Sequence, residues 1–372
     1  MGELRICLVS PAYVPSLGGL ERLVFEHARA MRAVGNDVTV LTQCRDDDSR
    51  RAPSHEVQSD GTSIRRFWVP IGRKQYGVSP ALLKYLRKHQ SDFDLVHTWN
   101  YHSPLPLAVS YGVQLPIVIT PVLHGTGHST LAKIIHIGYR RAAHRIFETA
   151  ATIVCGSASE AKLLSSMYPQ ASAKIEVLAP GLTRSSASDV EPFAELAPVI
   201  LSVSRLESYK QVDNLLMAME AVDRDAILVI VGDGPERANL ELLQTMATRP
   251  NSIRILGRVD DDELARWQRT AHVVVSLSLH ESFGLSLAEG IAAGASIVAS
   301  AIPAHLDLQA FSPVPFFLVD AEAGVREIGE ALNAALAQPK SSDTSSRLPT
   351  WEEVAKRFEV LYTNAIESFG NN

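Results

Sequence analysis

Short β-branched runs alternate with helix-forming stretches along almost the whole chain, and the alternation lapses once and restarts. In the first half the runs are Leu4 to Val9, Val38 to Thr42, Ile64 to Val69, Leu95 to Thr98, Ile117 to Thr120, Thr152 to Cys155 and Ile175 to Ala179. Helical periodicity falls between them over about Leu20 to Val34, Pro80 to His89, Leu105 to Tyr111, Thr130 to Thr149 and Ala158 to Met167. Strands alternating with helices at this spacing pair in parallel, and the crossover helices cover both faces of the sheet. Ala179 to Pro198, with Ser185-Ser186-Ala187-Ser188 inside it, interrupts the pattern as a linker does. A second series follows, with strands at Val199 to Val203, Ala226 to Val231, Ser252 to Leu256, His272 to Leu277, Ser296 to Ala299 and Phe316 to Val319. The fold class is therefore α/β, with two doubly wound parallel-sheet domains, 1–184 and 185–351. Asp46 to Asp60 is polar and is expected to be a mobile loop. A last amphipathic helix, about Trp351 to Phe369, is expected to bury Val354, Phe358, Leu361, Tyr362 and Ile366.

At 372 residues, two domains of roughly 180 residues each fit the usual size range. Hydrophobic residues at 46% and charged residues at 20% exclude a mainly disordered or coiled chain. Met1 to Val9 is a strand-like run closed by Ser10-Pro11, too short for a signal peptide or a spanning helix, so a cytoplasmic protein is expected. Cys7, Cys44 and Cys155 lack metal-ligand spacing and are read as reduced, mostly core residues. Residues 1–185 carry 21 Lys+Arg against 14 Asp+Glu, a net of +7, while the remainder carries 14 against 27, a net of −13. A basic first half suits an anionic acceptor or peripheral contact with an anionic membrane, where each cation near acidic lipid is worth about 1 kcal/mol. Solubility and attraction between the halves account for it equally. Arg140, Arg141, Arg145 and Lys133, interleaved with Ile134, Ile135, Ile137 and Tyr139, spell a basic amphipathic helix that either meets lipid headgroups or packs on the core with a solvated basic side. No nucleic-acid partner is expected, and the oligomeric state is left open.

Doubly wound sheets take ligands at the carboxyl ends of their strands, in a crevice. The chemistry-bearing motifs fall there. Glu281 and Glu289 stand eight residues apart, the first at a strand end and the second on the helix that follows. Between them Ser282-Phe283-Gly284-Leu285-Ser286 opens that helix, and its unpaired N–H groups and dipole favour a phosphate. Two carboxylates flanking a phosphate cradle suit a nucleotide-sugar. After the first strand, Gly18-Gly19 precedes a helix and can bring backbone N–H groups to a phosphate or sugar, although a tight turn without function has the same pattern and the third glycine of the dinucleotide fingerprint is missing.

Arg205 and Lys210 follow the first strand of the second half, where Arg205 can fork onto phosphate oxygens and Lys210 can add a point charge; two solvated surface cations are the bland alternative. Val231-Gly232-Asp233-Gly234-Pro235 is read as a structural turn. Gly257 can admit a flat base near the backbone, with Val259 and Asp261 at its edge, unless Asp260 or Asp261 only caps the next helix. In the first half His124 lies just beyond a strand and before glycines, placed to hydrogen-bond a reacting sugar, to shuttle a proton, or to be a satisfied structural histidine. His97, Trp99 and His102 shape an acceptor pocket or belong to the core.

With these residues in hand, the chain resembles the family-4 retaining glycosyltransferases of the GT-B fold over nearly its whole length. The resemblance rests on Glu281 with Glu289, joined in the family's order by Gly18-Gly19, by Arg205 with Lys210, by Val231-Gly232-Asp233-Gly234-Pro235-Glu236-Arg237, and by Trp351-Glu352 leading the last helix. It implies that two Rossmann-like domains face each other across a cleft and that the last helix, about 352–372, crosses back to the first. It also implies that Glu281 contacts donor-sugar hydroxyls, Glu289 the ribose, and Arg205, Lys210, Gly18 or Gly19 and the amides of Gly284 to Ser286 the diphosphate. His124 matches a histidine near the transferred sugar, so Glu281 and His124 are the candidate catalytic residues. Departures are Gly290 where alanine is usual, Ala301 to Asp307 without its usual acids, and Trp99 where a histidine often stands.

The resemblance implies transfer of a hexose-type sugar from a UDP- or GDP-linked donor to a hydroxyl of a glycan, glycolipid or small molecule, with retention and without a metal or other cofactor. Front-face attack would let a leaving-phosphate oxygen take the acceptor proton. The competing expectations are a nucleotide-sugar epimerase and a non-catalytic sugar-nucleotide-binding subunit of the same fold.

Overall fold

The computed structural model describes residues 3–16, 18–44, 51–69, 77–123, 130–182, 190–341 and 347–370, with backbone alone over 130–138. The chain divides into two compact units, Met1–Gly181 with Trp351–Asn372, and Leu182–Thr350.

In the first unit the order is β1 (Arg5–Ser10), α1 (Gly19–Ala33), β2 (Asp37–Cys44), β3 (His55–Val57), β4 (Ser63–Trp68), α2 (Pro80–Lys88), β5 (Leu95–Trp99), α3 (Leu105–Ser110), β6 (Ile117–Thr120), α4 (Thr130–Thr149), β7 (Ala150–Cys155), α5 (Ala158–Met167) and β8 (Ile175–Val177). Its eight strands run β3-β4-β2-β1-β5-β6-β7-β8. All neighbours are parallel except β3 on β4. The chain works outward from β1 to β4 and returns to β5 on the other side of β1, so the topological switch lies between β1 and β5.

The second unit holds β9 (Val199–Val203), α6 (Val212–Ala218), β10 (Ile227–Val231), α7 (Arg237–Met246), β11 (Ile253–Gly257), α8 (Asp261–Thr270), β12 (Val273–Ser276), α9 (Leu285–Ala292), β13 (Ser296–Ser300), α10 (Pro303–Gln309), β14 (Phe316–Val319) and α11 (Val325–Leu336). Its six strands run β11-β10-β9-β12-β13-β14 and are all parallel, with the switch between β9 and β12. Central strands covered on both faces read as continuous apolar runs, and Val199, Ile200, Leu201, Val273, Val274 and Val275 are all buried.

The last helix, α12 (Trp351–Gly370), packs in the first unit. Val354, Ala355, Phe358, Tyr362 and Ala365 fall on one face and join Ile6, Leu8, Val24, Ala28 and Met31 in a single core, with Leu361 and Ile366 partly buried at its margin. Within Asp46 to Asp60, the described residues contain a strand where a mobile loop was expected. β3 pairs antiparallel with β4, and the Arg66 guanidinium beneath it donates to Val14 O at 2.8 Å, Pro53 O at 3.0 Å and Glu56 Oε1 at 2.7 Å. Three residues are too short for a period to show in the sequence. The helix α10 was also not foreseen; it opens with Pro303, whose fixed φ suits a first helical turn.

Candidate functional site

The switch point of the second unit decides where its polar loops meet. The loop leaving β9 carries Arg205 and Lys210, and the loop leaving β12 carries Glu281; because β9 and β12 are neighbours, the two loops run side by side. Leu279 N donates to Tyr209 O at 2.9 Å, and next to that bond Lys210 Nζ donates to Glu281 Oε1. The side chains are only 13% and 21% exposed, so the ammonium orients the carboxylate with little competition from water. Arg205 is further out, with Nη2 at 2.8 Å from Glu207 Oε1 and half its side chain in solvent.

Gly284 precedes α9 with φ 97° and ψ 57°, a left-handed conformation that a side chain disfavours. Its carbonyl accepts the N–H groups of Leu287 and Ala288, both at 3.1 Å. The helix has no side-chain cap and no acid in its first turn, so the positive end of its dipole at Leu285 and Ser286 is not offset by a residue of its own. Ser282 is half-buried here, whereas the Phe283 ring is in the core at 5% exposure, so its side chain is not part of a binding surface. Glu289 Oε2 accepts from Gln268 Nε2 of α8 at 2.7 Å, which fixes the carboxylate on the α8 side of α9.

Gly290 also has a packing reason. A Cβ there would stand 2.8 Å from the Val274 Cβ, so α9 lies closer to β12 than alanine permits. The turn after β10 supports the Arg205 loop: Ser204 N donates to Val231 O at 3.1 Å and Leu206 N to Asp233 O at 3.0 Å, and side chains on Gly232 or Gly234 would strike the carbonyls of Ser204 and Leu206. Asp260 caps α8, accepting from Glu263 N at 2.8 Å, which leaves Asp261 exposed in the first turn and Val259 half-buried before it.

His305 also belongs to this region, although no sequence motif marks it. It is fully buried on α10, and its ring lies against Gly284, where a Cβ would be 3.4 Å from Cδ2 and 3.6 Å from Nε2. Nδ1 lies 2.9 Å from Ser300 O, so this nitrogen carries the proton and donates it, while Nε2 is buried with no partner. Burial lowers the imidazole pKa; Ser300 and the Glu281 charge act upward and Lys210 downward. The only sequence signal was a histidine inside Ala301 to Asp307.

In the first unit Gly18 is extended at φ 170° and caps α1 without a side chain, and Gly19 has open space where a Cβ would stand. His97 and Trp99 are core residues and form no acceptor surface, with exposures of 0% and 2%. β5 is central and covered on both faces, His97 Nε2 meets Thr120 Oγ1 at 2.9 Å, and its ring stacks on Trp99 at 4.4 Å. His102 stays half-buried beyond β5, its N–H donating to Asn100 Oδ1 at 3.0 Å. His124 lies outside the described residues. The backbone leading to it is held by a group that was not foreseen: Glu160, 3% exposed, accepts Leu123 N at 2.6 Å and Gly156 N at 2.7 Å. Burial pushes its carboxyl up to about 7 while these two amides pull it down.

Residues 17–185 match the family model Glycosyltransferase Family 4, and residues 184–344 match Glycosyl transferases group 1. The chain belongs to the family-4 glycosyltransferases. The phosphatidyl-myo-inositol mannosyltransferase of Mycobacterium leprae (strain TN) is 28% identical to this glycosyltransferase over 334 residues, covering 86% of this chain and 82% of that protein. Sucrose-phosphate synthase from Thermosynechococcus elongatus superposes with a TM-score of 0.73 at 19% identity, covering 98% of this chain and all of the other. HepE from Anabaena, in complex with UDP-glucose, superposes with a TM-score of 0.69 at 16% identity over 100% of both chains. The fold is that of the GT-B glycosyltransferases. Among the described residues no three His, Cys, Asp or Glu side chains cluster as metal ligands, and no helix is long and apolar enough to cross a membrane.

Proposed function

We propose that this glycosyltransferase moves a hexose-type sugar, with retention, from a UDP- or GDP-linked donor to a hydroxyl of a lipid-linked or glycan acceptor. The observation that carries the donor side is the meeting of Lys210, Glu281 and the uncapped start of α9 at one switch point. In this reading the α9 amides, Arg205 and Lys210 hold the diphosphate. As negative charge builds on the departing phosphate, Lys210 shares its protons between that phosphate and Glu281. Such preorganised donors are each worth roughly 3 to 4 kcal/mol to a transition state. Glu281 holds the sugar hydroxyls, Glu289 the ribose, and Val259 and Asp261 border the base. A phosphate oxygen of the leaving group takes the acceptor proton as the new glycosidic bond forms on the same face. The chemistry calls on no metal or other cofactor in this scheme.

The HepE complex supports a uridine donor, and the name of the mycobacterial relative supports an inositol-lipid acceptor. Arg140 and Arg141, exposed on α4, suit peripheral contact with an anionic membrane on the cytoplasmic side. The test is product analysis after incubation with UDP- and GDP-hexoses, with and without phosphatidylinositol. The expected result is a new α-linked glycolipid and acceptor-dependent release of nucleoside diphosphate. Release without acceptor that yields a free epimer would overturn transfer.

A further inference from the structure

The loops described above leave the carboxyl ends of the strands in the first unit. At the opposite, amino-terminal edge of the same sheet, a cavity of about 470 Å³ opens between the segments that enter β5, β6 and β7. Gln90 comes from the turn before β5, Tyr111, Gly112 and Gln114 from the turn before β6, and Arg145 from the end of α4 before β7; Arg87 closes the ring from α2. The volume is in the range of small-ligand sites.

Two guanidinium groups lie here beside consecutive residues of one turn. Arg145 lies over the Tyr111 ring, with Cζ 4.4 Å from its centroid. Arg87, exposed on α2, lies beside Gly112, where a Cβ would come within 2.8 Å of its Cζ and shift the guanidinium. Neither arginine makes a hydrogen bond or ion pair through its guanidinium among the described residues, and Arg145 Nε is buried without a partner. No carboxylate lines the cavity. The acids on the same segments face elsewhere, Asp92 to His89 at 3.0 Å and Glu148 to His144 at 3.1 Å. Gln90 Oε1 takes the Gln114 N–H at 3.0 Å, which leaves the Gln90 amide nitrogen as a further donor.

Like charges facing one cavity with no counter-ion repel, and planar guanidinium forks with a spare N–H match the oxygens of a phosphate. We propose that this cavity is a second anion site, which takes a phosphate-bearing group through Arg87 and Arg145. The site lies at the opposite end of the strands from Gly18-Gly19 and does not depend on the donor reading. The phosphate belongs either to a soluble ester or to the headgroup of an anionic lipid.

The test uses the full chain at low ionic strength, with glycerol 3-phosphate in calorimetry and phosphatidylcholine vesicles, with or without phosphatidylinositol, in co-sedimentation. The Arg87→Gln/Arg145→Gln variant should weaken one of the two interactions on the order of tenfold, while its thermal shift with nucleoside diphosphate stays that of the parent. Loss with glycerol 3-phosphate identifies a soluble ester, and loss with inositol-lipid vesicles alone identifies a headgroup. Gln114→Glu, an exposed change that supplies a counter-ion in place, should weaken the same interaction without unfolding the protein. Unchanged binding of both probes by these variants, or a parent that binds neither, overturns the site. Because donor binding is read separately in the same variants, failure here leaves the transferase reading standing, and the reverse holds too.

Discussion

The Tyr362 hydroxyl lies 2.7 Å from Nε2 of His27, joining two residues 335 positions apart. It also lies 2.7 Å from Nδ1 of His97, so one hydroxyl links α12 to α1 and to β5. A phenol can donate to one imidazole and accept from the other, which gives each ring a partner, while His27 Nδ1 is buried without one. Tyr362 and both histidines are buried, and Phe358 packs edge-on to His27 at 4.4 Å. The last helix is thereby fixed by a polar contact inside an apolar seam.

Tyr362→Phe keeps the ring and removes the shared hydroxyl, so two buried imidazoles lose a partner. The expected cost is about 1 to 3 kcal/mol of stability in the first unit. Urea titration followed by near-ultraviolet circular dichroism reads it, and a midpoint equal to that of the parent would show that the bridge contributes nothing.

Acid should act on the same seam. Burial pushes His27 down to about 3 and His97 well below its ordinary value, with the His27 charge adding to the shift at His97. The unfolded chain protonates near pH 6.5 while the folded one does not. Stability from these groups is therefore present above about pH 6.5 and lost as pH falls towards about 3. Melting temperature measured from pH 7 to 4 should fall, and the fall should be smaller in His27→Gln.

Gly284→Ala places a side chain at φ 97° with its Cβ 3.4 Å from the His305 ring. The backbone alone disfavours this by about 1 to 2 kcal/mol. Because the strained residue is the cap of α9, donor affinity should fall along with stability, whereas Gly19→Ala, with open space at its Cβ, should leave stability unchanged. Calorimetry with nucleoside diphosphate separates the two, and equal affinities for Gly284→Ala and the parent would remove α9 from the donor site.

Glu281→Gln should chiefly lower turnover and Glu289→Gln chiefly weaken donor binding. Lys210→Met and Glu281→Gln should not be additive, since each removes the same pair, with a coupling of about 0.5 to 3 kcal/mol. Steady-state kinetics of the single and double variants provide the cycle, and strict additivity would mean that the pair does not act as a unit.

The strand-to-helix run around Glu281 and Glu289 was legible because its signals are local: a β-branched run, a turn glycine, then helix formers. The switch point was not, since which strands become neighbours is a property of the whole sheet, and the Lys210–Glu281 pair follows from that neighbourhood. Whether His97 belongs to a pocket or to the core was illegible for a related reason. A histidine in an apolar run looks like a ligand until its partners are known, and Tyr362 and Thr120 are 265 and 23 residues away. Glu160 escaped notice because its partners are backbone amides at Leu123 and Gly156, which no side-chain pattern encodes. Gly290 looked like a departure and is explained by Val274 beneath it.

The placement of α12 in the first unit makes the second unit an insertion, which bears on the order of assembly during synthesis. Domains contained in one stretch fold as they emerge, normally from the N-terminus onward. Here Leu182–Thr350 is complete before Trp351 is made, so the later-encoded unit can close first. Meanwhile Val24, Ala28, Met31 and His27 wait for the apolar face of α12. A released chain ending at Thr350 should hold a protease-resistant second unit beside a first unit whose seam is still open to chaperones.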